Sequence, residues 1–192
     1  MNGYERQKEQ SAKMIEEALF ALMREKKFER ITVSELAGRA DVARRTFYRL
    51  YQSKEDVLRR YLEKLRLEYQ RTCPPLKRYD FIQIAEEYFG FWYRYREELL
   101  LLHKCGLDQM LYYEMSRASL AVVKGRMEGN TDQEEWEIAC FAGYSTGGFL
   151  LLLQRWVESG MQENPKQYAR MTGRALLRFI RPAMVRGKEE NV

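Results

Sequence analysis

The stretch ITVSELAGRADVARRTFYRLYQSKEDVL, residues 31–58, decides the fold of this chain. Its second half, from Asp41 to Leu58, gathers three arginines, one lysine and three aromatic side chains into a short window. Along a helix face that is merely solvated, charges alternate in sign. The charges in this window do not. Three interpretations are open: a solvated surface, a piece of core, or a surface that binds an anion.

The first half of the stretch predicts a short helix and a tight turn. Thr32 and Glu35 have the spacing of a capping box, in which the threonine oxygen accepts the third helical amide and the glutamate reaches back. The helix is expected to extend to about Ala40. Asp41 follows where the chain must turn sharply, a position at which aspartate tolerates a left-handed backbone.

The next segment predicts a helix over residues 44–51 with two chemically different sides. At 100° per residue, Phe47, Leu50 and Tyr51 share one side. The other side carries polar and cationic residues, namely Arg45, Tyr48, Arg49 and Gln52. The aromatic side is expected to pack on neighbouring helices, which leaves the cationic side outward.

A further helix is predicted to begin after Ser53, which can act as its N-cap, and to extend to about Arg71. Glu55 and Asp56 suit the positive end of that helix. Lys54 does not, because a cation in the first turn opposes the helix macrodipole. The lysine ceases to be anomalous if a phosphate lies at this helix end.

An amphipathic helix is predicted upstream, from about Glu5 to Lys27. Its apolar residues recur at three- and four-residue spacing, at Met14, Ile15, Ala18, Leu19, Leu22 and Met23. Three short helices, with a tight turn between the second and third and a basic side on the third, describe a helix-turn-helix. The sequence therefore predicts that Arg44, Arg45, Thr46, Tyr48 and Arg49 face a DNA major groove.

The charge distribution supports a polyanion partner for the first part of the chain. The formal net charge of the 192 residues is +5, from 33 Lys and Arg against 28 Asp and Glu. The surplus of five falls entirely within residues 1–73, and residues 74–192 are neutral by formal charge. A solvated basic surface is the alternative on charge alone, but the helical context favours DNA binding.

The stretch resembles the DNA-binding signature of the tetracycline-repressor (TetR/AcrR) family of bacterial regulators. The pattern T-F-Y-x-x-[FY]-x-S-K-E-x-[LV] carries the resemblance, which covers about residues 10–60. It implies that Tyr48 and Lys54 contact phosphates and that Thr32 makes the contact that opens the second helix. The variable base-reading and backbone positions of the family fall on Arg44, Arg45, Thr46 and Arg49.

Two residues depart from the family pattern. Asp41 replaces the usual turn glycine, and Ala43 stands where a serine often caps the third helix. The loss of that cap costs about 1 kcal/mol. Neither departure threatens the predicted fold.

The whole chain is predicted to be all-α, with about nine helices in two domains. A helix-turn-helix domain is expected at residues 1–53 and a helical dimerisation and effector domain at residues 54–192. The helices of the second domain are expected near residues 79–95, 107–127, 133–159 and 164–180. The most apolar segment, residues 138–153, is predicted to be a buried helix because it is shorter than a membrane span.

A dimer interface is predicted on the last two helices. Ala139, Gly143 and Gly147 recur every four residues and form a strip that lets another helix approach closely. With the last helix they would form a four-helix bundle in the assembled pair. The predicted interface residues are Ala139, Gly143, Gly147, Leu151, Arg155, Leu176, Phe179 and Ile180. A contact within the chain is the alternative.

The family resemblance also implies an effector cavity in the larger domain. The candidate lining residues are Phe89, Trp92, His103, Met110, Tyr113, Phe141 and Tyr144. Large aromatic residues at helical spacing are usually core, but an apolar wall with a few polar tips suits a small hydrophobic effector. A second possibility is that this domain docks a protein partner. His103 is expected to be a satisfied core residue, and a metal site with Cys105 is disfavoured because the two side chains point to different sides of a helix.

No catalytic, cofactor or metal motif accompanies these features. The chain has one histidine and three widely separated cysteines, and it lacks a G-x-S-x-G or P-loop motif. The sequence therefore predicts a cytoplasmic, homodimeric DNA-binding regulator with no membrane partner and no enzymatic activity. By family habit it would be a repressor that a small molecule releases from a palindromic operator.

Overall fold

The computed structural model describes residues 3–73, 80–126 and 134–186. Within these residues the chain forms α-helices and one 3-10 helix and contains no strand. The helices are α1 (Gly3–Glu25), a 3-10 helix (Phe28–Arg30), α2 (Val33–Arg39), α3 (Arg44–Leu50), α4 (Lys54–Thr72), α5 (Phe81–Tyr93), α6 (Arg96–Lys104), α7 (Asp108–Ser116), α8 (Ser119–Arg126), α9 (Glu135–Glu158) and α10 (Pro165–Arg186). The all-α prediction is confirmed.

Two predicted helix boundaries are wrong. The single helix expected near residues 107–127 is two helices, α7 and α8, that are separated at Arg117 and Ala118. No glycine or proline marks this break, but the Ser119 hydroxyl donates to the carbonyl of Ala142 at 2.8 Å, so a tertiary contact fixes the start of α8. The last helix was expected to end before Pro182 but continues to Arg186.

The chain divides into two compact units. The first unit consists of Met1–Arg71 and Glu97–Ala118, and the second consists of Thr72–Arg96 and Ser119–Val192. The first unit thus holds α1 to α4 together with most of α6 and α7. The predicted limit of the DNA-binding domain at residue 53 stays a prediction.

The core of the first unit is formed by the apolar side of α1 and the short helices that pack on it. The predicted stripe on α1 is largely confirmed, since Ile15, Leu19 and Met23 are almost completely buried. The connector residues Phe28 and Ile31 are buried as well. The same core takes in the buried side chains Leu36, Ala37, Ala40, Phe47, Leu50, Tyr51, Val57, Leu58, Leu62 and Leu65.

The core of the second unit is aromatic. The Trp156 ring stacks on Tyr168 at a centroid distance of 4.8 Å and an interplanar angle of 9°. Phe89 meets Tyr168 edge-on at 4.8 Å. Helix α10 lies very close to α5, because a Cβ added at Gly173 would come within 2.8 Å of Ile82 Cγ1. These contacts join α5, α9 and α10.

Helix α9 is mostly exposed, which corrects the prediction of a buried helix over residues 138–153. Only Ala142, Leu153, Trp156 and Val157 are buried on it. Among the described residues it is also the one helix that is long and apolar enough to cross a membrane by length and composition alone. The sequence prediction failed because apolarity indicates that a surface is covered, but does not say whether the same chain covers it.

Candidate nucleic-acid interface

The turn between α2 and α3 is closed by backbone hydrogen bonds. The Val42 amide donates to the carbonyl of Ala37 at 3.0 Å, and the Asp41 amide donates to Gly38 at 3.2 Å. Together they form a Schellman motif, which requires a left-handed residue after the helix. Asp41 occupies that position with a φ of 49°. The predicted left-handed aspartate is confirmed.

The start of α2 is held by the predicted capping box. The Glu35 amide donates to Thr32 Oγ1 at 3.2 Å, and the Thr32 amide donates to the Glu35 carboxylate at 3.0 Å. Lys26 adds a hydrogen bond to the same carboxylate. The bonds from Lys26 and then from Thr32 lower the pKa of Glu35 to about 2.

The apolar side of α3 packs into the core as predicted. Phe47, Leu50 and Tyr51 are all buried. The Tyr51 hydroxyl donates to the Glu16 carboxylate on α1 at 3.1 Å, and Lys64 on α4 donates to the same carboxylate. Burial and the adjacent Glu16 charge raise the pKa of Tyr51 well above its usual range. The end of α3 is therefore joined to both α1 and α4.

The opposite side of α3 presents cations to solvent. Arg44, Arg45, Tyr48 and Arg49 are exposed, and Thr46 is half-buried. Within the described part of the chain, Arg44 and Arg45 make no hydrogen bond or ion pair. Their guanidinium groups can therefore turn toward an anion or a guanine edge without breaking a bond inside the protein.

Tyr4 was not predicted to belong to this surface. The Arg49 guanidinium lies over the Tyr4 ring at 5.8 Å from the ring centroid. The first turn of α1 therefore lies beside the last turn of α3. A single aromatic residue among polar neighbours gave no signal of this contact, which depends on how α1 crosses α3.

The start of α3 lacks a side-chain cap, in agreement with the departure noted at Ala43. The Ala43 side chain makes no capping bond. Its carbonyl accepts the amides of Thr46 at 2.8 Å and Phe47 at 3.1 Å. The first turn of α3 is thus closed by backbone bonds alone.

Lys54 lies inward, in a setting that the sequence did not indicate. Its ammonium donates to the backbone carbonyls of Phe28 at 2.7 Å, Glu29 at 2.9 Å and Ile31 at 2.9 Å. Its side chain is only 13% exposed. The phosphate contact expected for Lys54 stays a prediction, as does the contact expected for Thr32, whose hydroxyl is engaged in the capping box.

The candidate effector residues are divided between the two units. In the second unit, Phe89 and Trp92 are completely buried in the aromatic core, whereas Phe141 and Tyr144 are exposed. In the first unit, Met110 is half-buried and Tyr113 is exposed. Some of the candidates are thus core rings and others are surface rings, a difference that aromatic content alone does not indicate. The role of these residues in an effector site stays a prediction.

His103 is a surface residue rather than the core residue that was predicted. Its side chain is 41% exposed, and Nδ1 lies 3.1 Å from the Asp108 carboxylate. This local pair is possible because a left-handed turn at Gly106, with a φ of 68°, brings the start of α7 back toward the end of α6. Within the described residues, no group of three or more His, Cys, Asp or Glu side chains could hold a metal ion.

The predicted interface residues of α9 lie on one exposed strip. Ala139, Gly143, Gly147, Leu151 and Arg155 are all exposed. A Cβ added at either glycine would meet no atom within 4 Å, so nothing in the described chain requires a glycine there. On α10, Leu176 is half-buried, and the side chains of Phe179 and Ile180 lie outside the described residues.

The helix-turn-helix and its cationic surface have the arrangement of a DNA-binding fold. Residues 15–61 match the family model described as bacterial regulatory proteins, tetR family. Residues 15–61 are therefore similar to the DNA-binding domain of that family, which confirms the resemblance seen in the sequence.

The fold likeness extends over most of the chain. One similar solved structure is described as the dihydroxyacetone kinase operon activator DhaS, with a TM-score of 0.63, 16% identity, and coverage of 89% of this chain and 96% of that chain. Another is the fatty acid degradation regulator FadR from Bacillus halodurans, with a TM-score of 0.60, 14% identity, and coverage of 87% and 94%. No curated protein matches the sequence. The family and both neighbours are transcription regulators, not enzymes.

Proposed function

We propose that this chain is a cytoplasmic, homodimeric repressor that binds a palindromic DNA operator and is released from it by a small-molecule effector. Two copies of α3 would enter successive major grooves, with centres about 34–36 Å apart. The observation that carries the DNA-binding part is the exposed face of Arg44, Arg45, Tyr48 and Arg49, which stands on a helix whose other side is buried.

The rigidity of α3 supports this proposal. A helix of seven residues has little stability of its own. Phe47 and Tyr51 fix it to the core, and the Schellman turn fixes its start relative to α2. A base-reading surface needs such support, because the arginines must arrive at the groove already oriented.

The exposed strip of α9 supports the homodimer. Trp136, Tyr144 and Leu151 are each more than 60% exposed on this helix. A continuous apolar face of this kind marks an interaction site in a soluble protein. The glycines let a second helix approach closely, and a second copy of the same chain is the partner that a two-fold-symmetric operator requires.

The proposed direction of regulation and the proposed effector both rest on the family resemblance. Repression follows family habit, whereas the neighbour DhaS is described as an activator. The proposed effector site keeps the candidate residues that the sequence indicates, of which Phe141 and Tyr144 are exposed on α9. A protein partner in place of an effector remains the alternative, which the exposed strip of α9 also favours.

Selection of bound duplexes from a random DNA pool tests the DNA-binding part. The expected result is an inverted repeat whose half-site centres are one helical turn apart, about 10–10.5 base pairs, or a multiple of that distance. Binding to the selected duplex should weaken steeply with salt, because each neutralised phosphate adds about −0.9 to the slope of log K against log[salt]. A pool without enrichment, or a flat salt response, would contradict the proposal.

A reporter gene placed behind the selected operator tests the direction of regulation. Repression requires lower expression when the protein is present. Higher expression would show an activator, as in the description of DhaS.

Thermal-shift screening of the full chain against small hydrophobic compounds tests the effector, because a ligand at 100 times its Kd stabilises the protein by about 2.7 kcal/mol.

A further inference from the structure

We propose, on the basis of the DNA-binding function proposed above, that Tyr4 in the first turn of α1 is a positioning residue for DNA reading. Its ring holds the Arg49 guanidinium in place at the end of α3, so that this arginine reaches the DNA already oriented. Tyr4 acts through Arg49 and makes no contact with DNA itself.

The geometry of the pair carries the inference. The Arg49 guanidinium carbon lies over the Tyr4 ring, 5.8 Å from its centroid. The negative face of an aromatic ring attracts a cation within about 6 Å of its centroid. Within the described residues, neither side chain makes a hydrogen bond or an ion pair. The ring is therefore the group in the described chain that restrains the guanidinium.

The position of the Tyr4 ring is not explained by burial. Tyr4 is 55% exposed, and the buried residues of α1 begin only at Ile15. The ring thus lies outside the core, at the end of α1 that is nearest to the last turn of α3. The contact with Arg49 is the interaction that the ring does make there.

A contact with a ring suits an arginine that must bind DNA. A guanidinium has five N–H donors in one plane, and attraction to a ring face uses none of them. An ion pair does use them, as Arg39 of α2 shows by donating to the Glu25 carboxylate. Arg49 is therefore restrained while its donors stay free for a guanine edge or a phosphate.

Arg45 gives the restraint a further purpose. Arg45 and Arg49 are four residues apart on α3 and both are exposed, so their side chains leave the same side of the helix and repel each other. The Tyr4 ring offers Arg49 one preferred place on this crowded cationic face. Immobilising a side chain with many rotamers opposes binding, and a pre-positioned arginine has already lost part of that freedom.

Proton NMR of the full chain without DNA tests the contact alone. Protons that lie over an aromatic face are shifted upfield by its ring current, so the side-chain protons of Arg49 should be shifted. Tyr4→Phe keeps the ring and should keep the shift, whereas Tyr4→Leu keeps only an apolar side chain and should remove it. Arg49 signals that do not move in Tyr4→Leu would overturn the inference.

Affinity for the operator selected from the random DNA pool tests the role of the contact. Tyr4→Leu should weaken binding by about two- to fivefold, which is the size of an exposed cation–π contact. Tyr4→Phe should bind as the unaltered chain does, because the ring face is kept. Equal losses for the two variants would show that the Tyr4 hydroxyl itself binds DNA, and would overturn the positioning role.

A double-mutant cycle assigns the effect to Arg49. In an Arg49→Ala background, Tyr4→Leu should weaken binding no further, because no guanidinium is left to position. Arg44→Ala is the matched control background, in which Tyr4→Leu should weaken binding as much as in the unaltered chain, because Arg49 is still present. Additive losses for Tyr4→Leu and Arg49→Ala would overturn the inference.

Failure of the DNA-binding function and failure of the positioning role are distinguishable. If the unaltered chain enriches no duplex, the proposed function fails together with the role of Tyr4 in DNA reading, and the NMR experiment separately decides on the contact. If the chain binds its operator and Tyr4→Leu binds equally well, DNA binding stands and the positioning role alone is overturned.

Discussion

The outward face of α3 and the outward face of α9 are both exposed, but they differ in almost every other property. The face of α3 is short and cationic, and the side behind it is buried. The face of α9 is long, apolar and glycine-containing, and few of its residues are buried in the described chain. Charged groups are stable in water, whereas an apolar strip is not. The contrast therefore suggests a reversible, salt-sensitive partner for α3 and a permanent partner for α9.

The largest effect is expected on the α3 face. Replacement of both Arg44 and Arg45 by alanine should weaken binding to the selected operator by about 10²–10³-fold, since each good arginine–base pair contributes about 1–3 kcal/mol. Mobility-shift titration of the full chain measures this. Both side chains are exposed, so Tm should stay nearly unchanged.

The matched control for the arginine pair is Lys8→Ala with Lys13→Ala. Both of these lysines are exposed residues of α1, and their replacement removes the same amount of charge. The affinity should fall much less, because only the long-range attraction is lost. Equal losses for the two double variants would mean that α3 attracts DNA without reading it.

The second effect concerns the α9 face. Leu151→Glu should raise the dissociation constant of the homodimer by about 30–100-fold, because a carboxylate would be buried against the second copy. Sedimentation equilibrium measures the change. Leu151 is 63% exposed in the chain alone, so the fold of each copy should be unaffected.

Leu67→Glu is the control, because Leu67 is an exposed leucine of α4 outside the proposed interface. It should leave the association state unaltered. A Leu151→Glu protein that sediments like the unaltered chain would remove the distinction between the two faces and leave the α9 strip open to a different partner.

The two faces also differ in how well the sequence predicted them. The capping box at Thr32, the left-handed Asp41 and the buried side of α3 all follow from spacings within a few residues, and each is confirmed. Local spacing determines these features because caps and turns are bonds between near neighbours. Almost all of the helix-turn-helix could therefore be predicted from local spacing in the sequence.

The errors fall where distant contacts decide. The partners of Lys54 lie 23–26 residues before it in the chain. The break between α7 and α8 depends on a contact from Ser119 to Ala142, and the exposure of α9 depends on what the rest of the chain leaves uncovered. No local pattern contains this information, and for the same reason the sequence grouped buried Phe89 with exposed Tyr144.

The third effect is expected from one substitution on α9, which should stabilise the single chain and weaken the homodimer. Gly147→Ala should stabilise the single chain by up to about 1 kcal/mol, because alanine favours a helix over glycine and the added Cβ meets no atom within 4 Å. The same methyl group would keep a second helix from close approach, so dimerisation should weaken by about tenfold. Unfolding and sedimentation experiments on the same variant measure the two signs.

Gly125→Ala provides the control for that variant. Gly125 is an exposed glycine of α8 whose added Cβ would also meet no atom within 4 Å. It should stabilise the chain to a similar extent without weakening the dimer. If Gly147→Ala also leaves dimerisation intact, the glycine strip does not form the close contact, although the leucines beside it could still do so.

The smallest effect concerns the capping box that holds the start of α2, the helix before α3. The pKa of Glu35 is lowered from 4.5 to about 2, so its ionised form stabilises the fold above the unfolded pKa, and this contribution is lost as the pH falls from about 5 toward 2. The Tm of Glu35→Gln should therefore lie slightly below that of the unaltered chain near pH 7 and approach it near pH 3. Glu35 is exposed, so the difference should also shrink in about 1 M salt.

Glu17→Gln, on the solvent side of α1, is the control, and its Tm difference should be smaller because Glu17 makes only an ion pair with Lys13. A Glu35→Gln difference that stays constant between about pH 7 and pH 3 would show that α2 is held without the carboxylate, and that the helix-turn-helix owes its order to backbone bonds and packing alone.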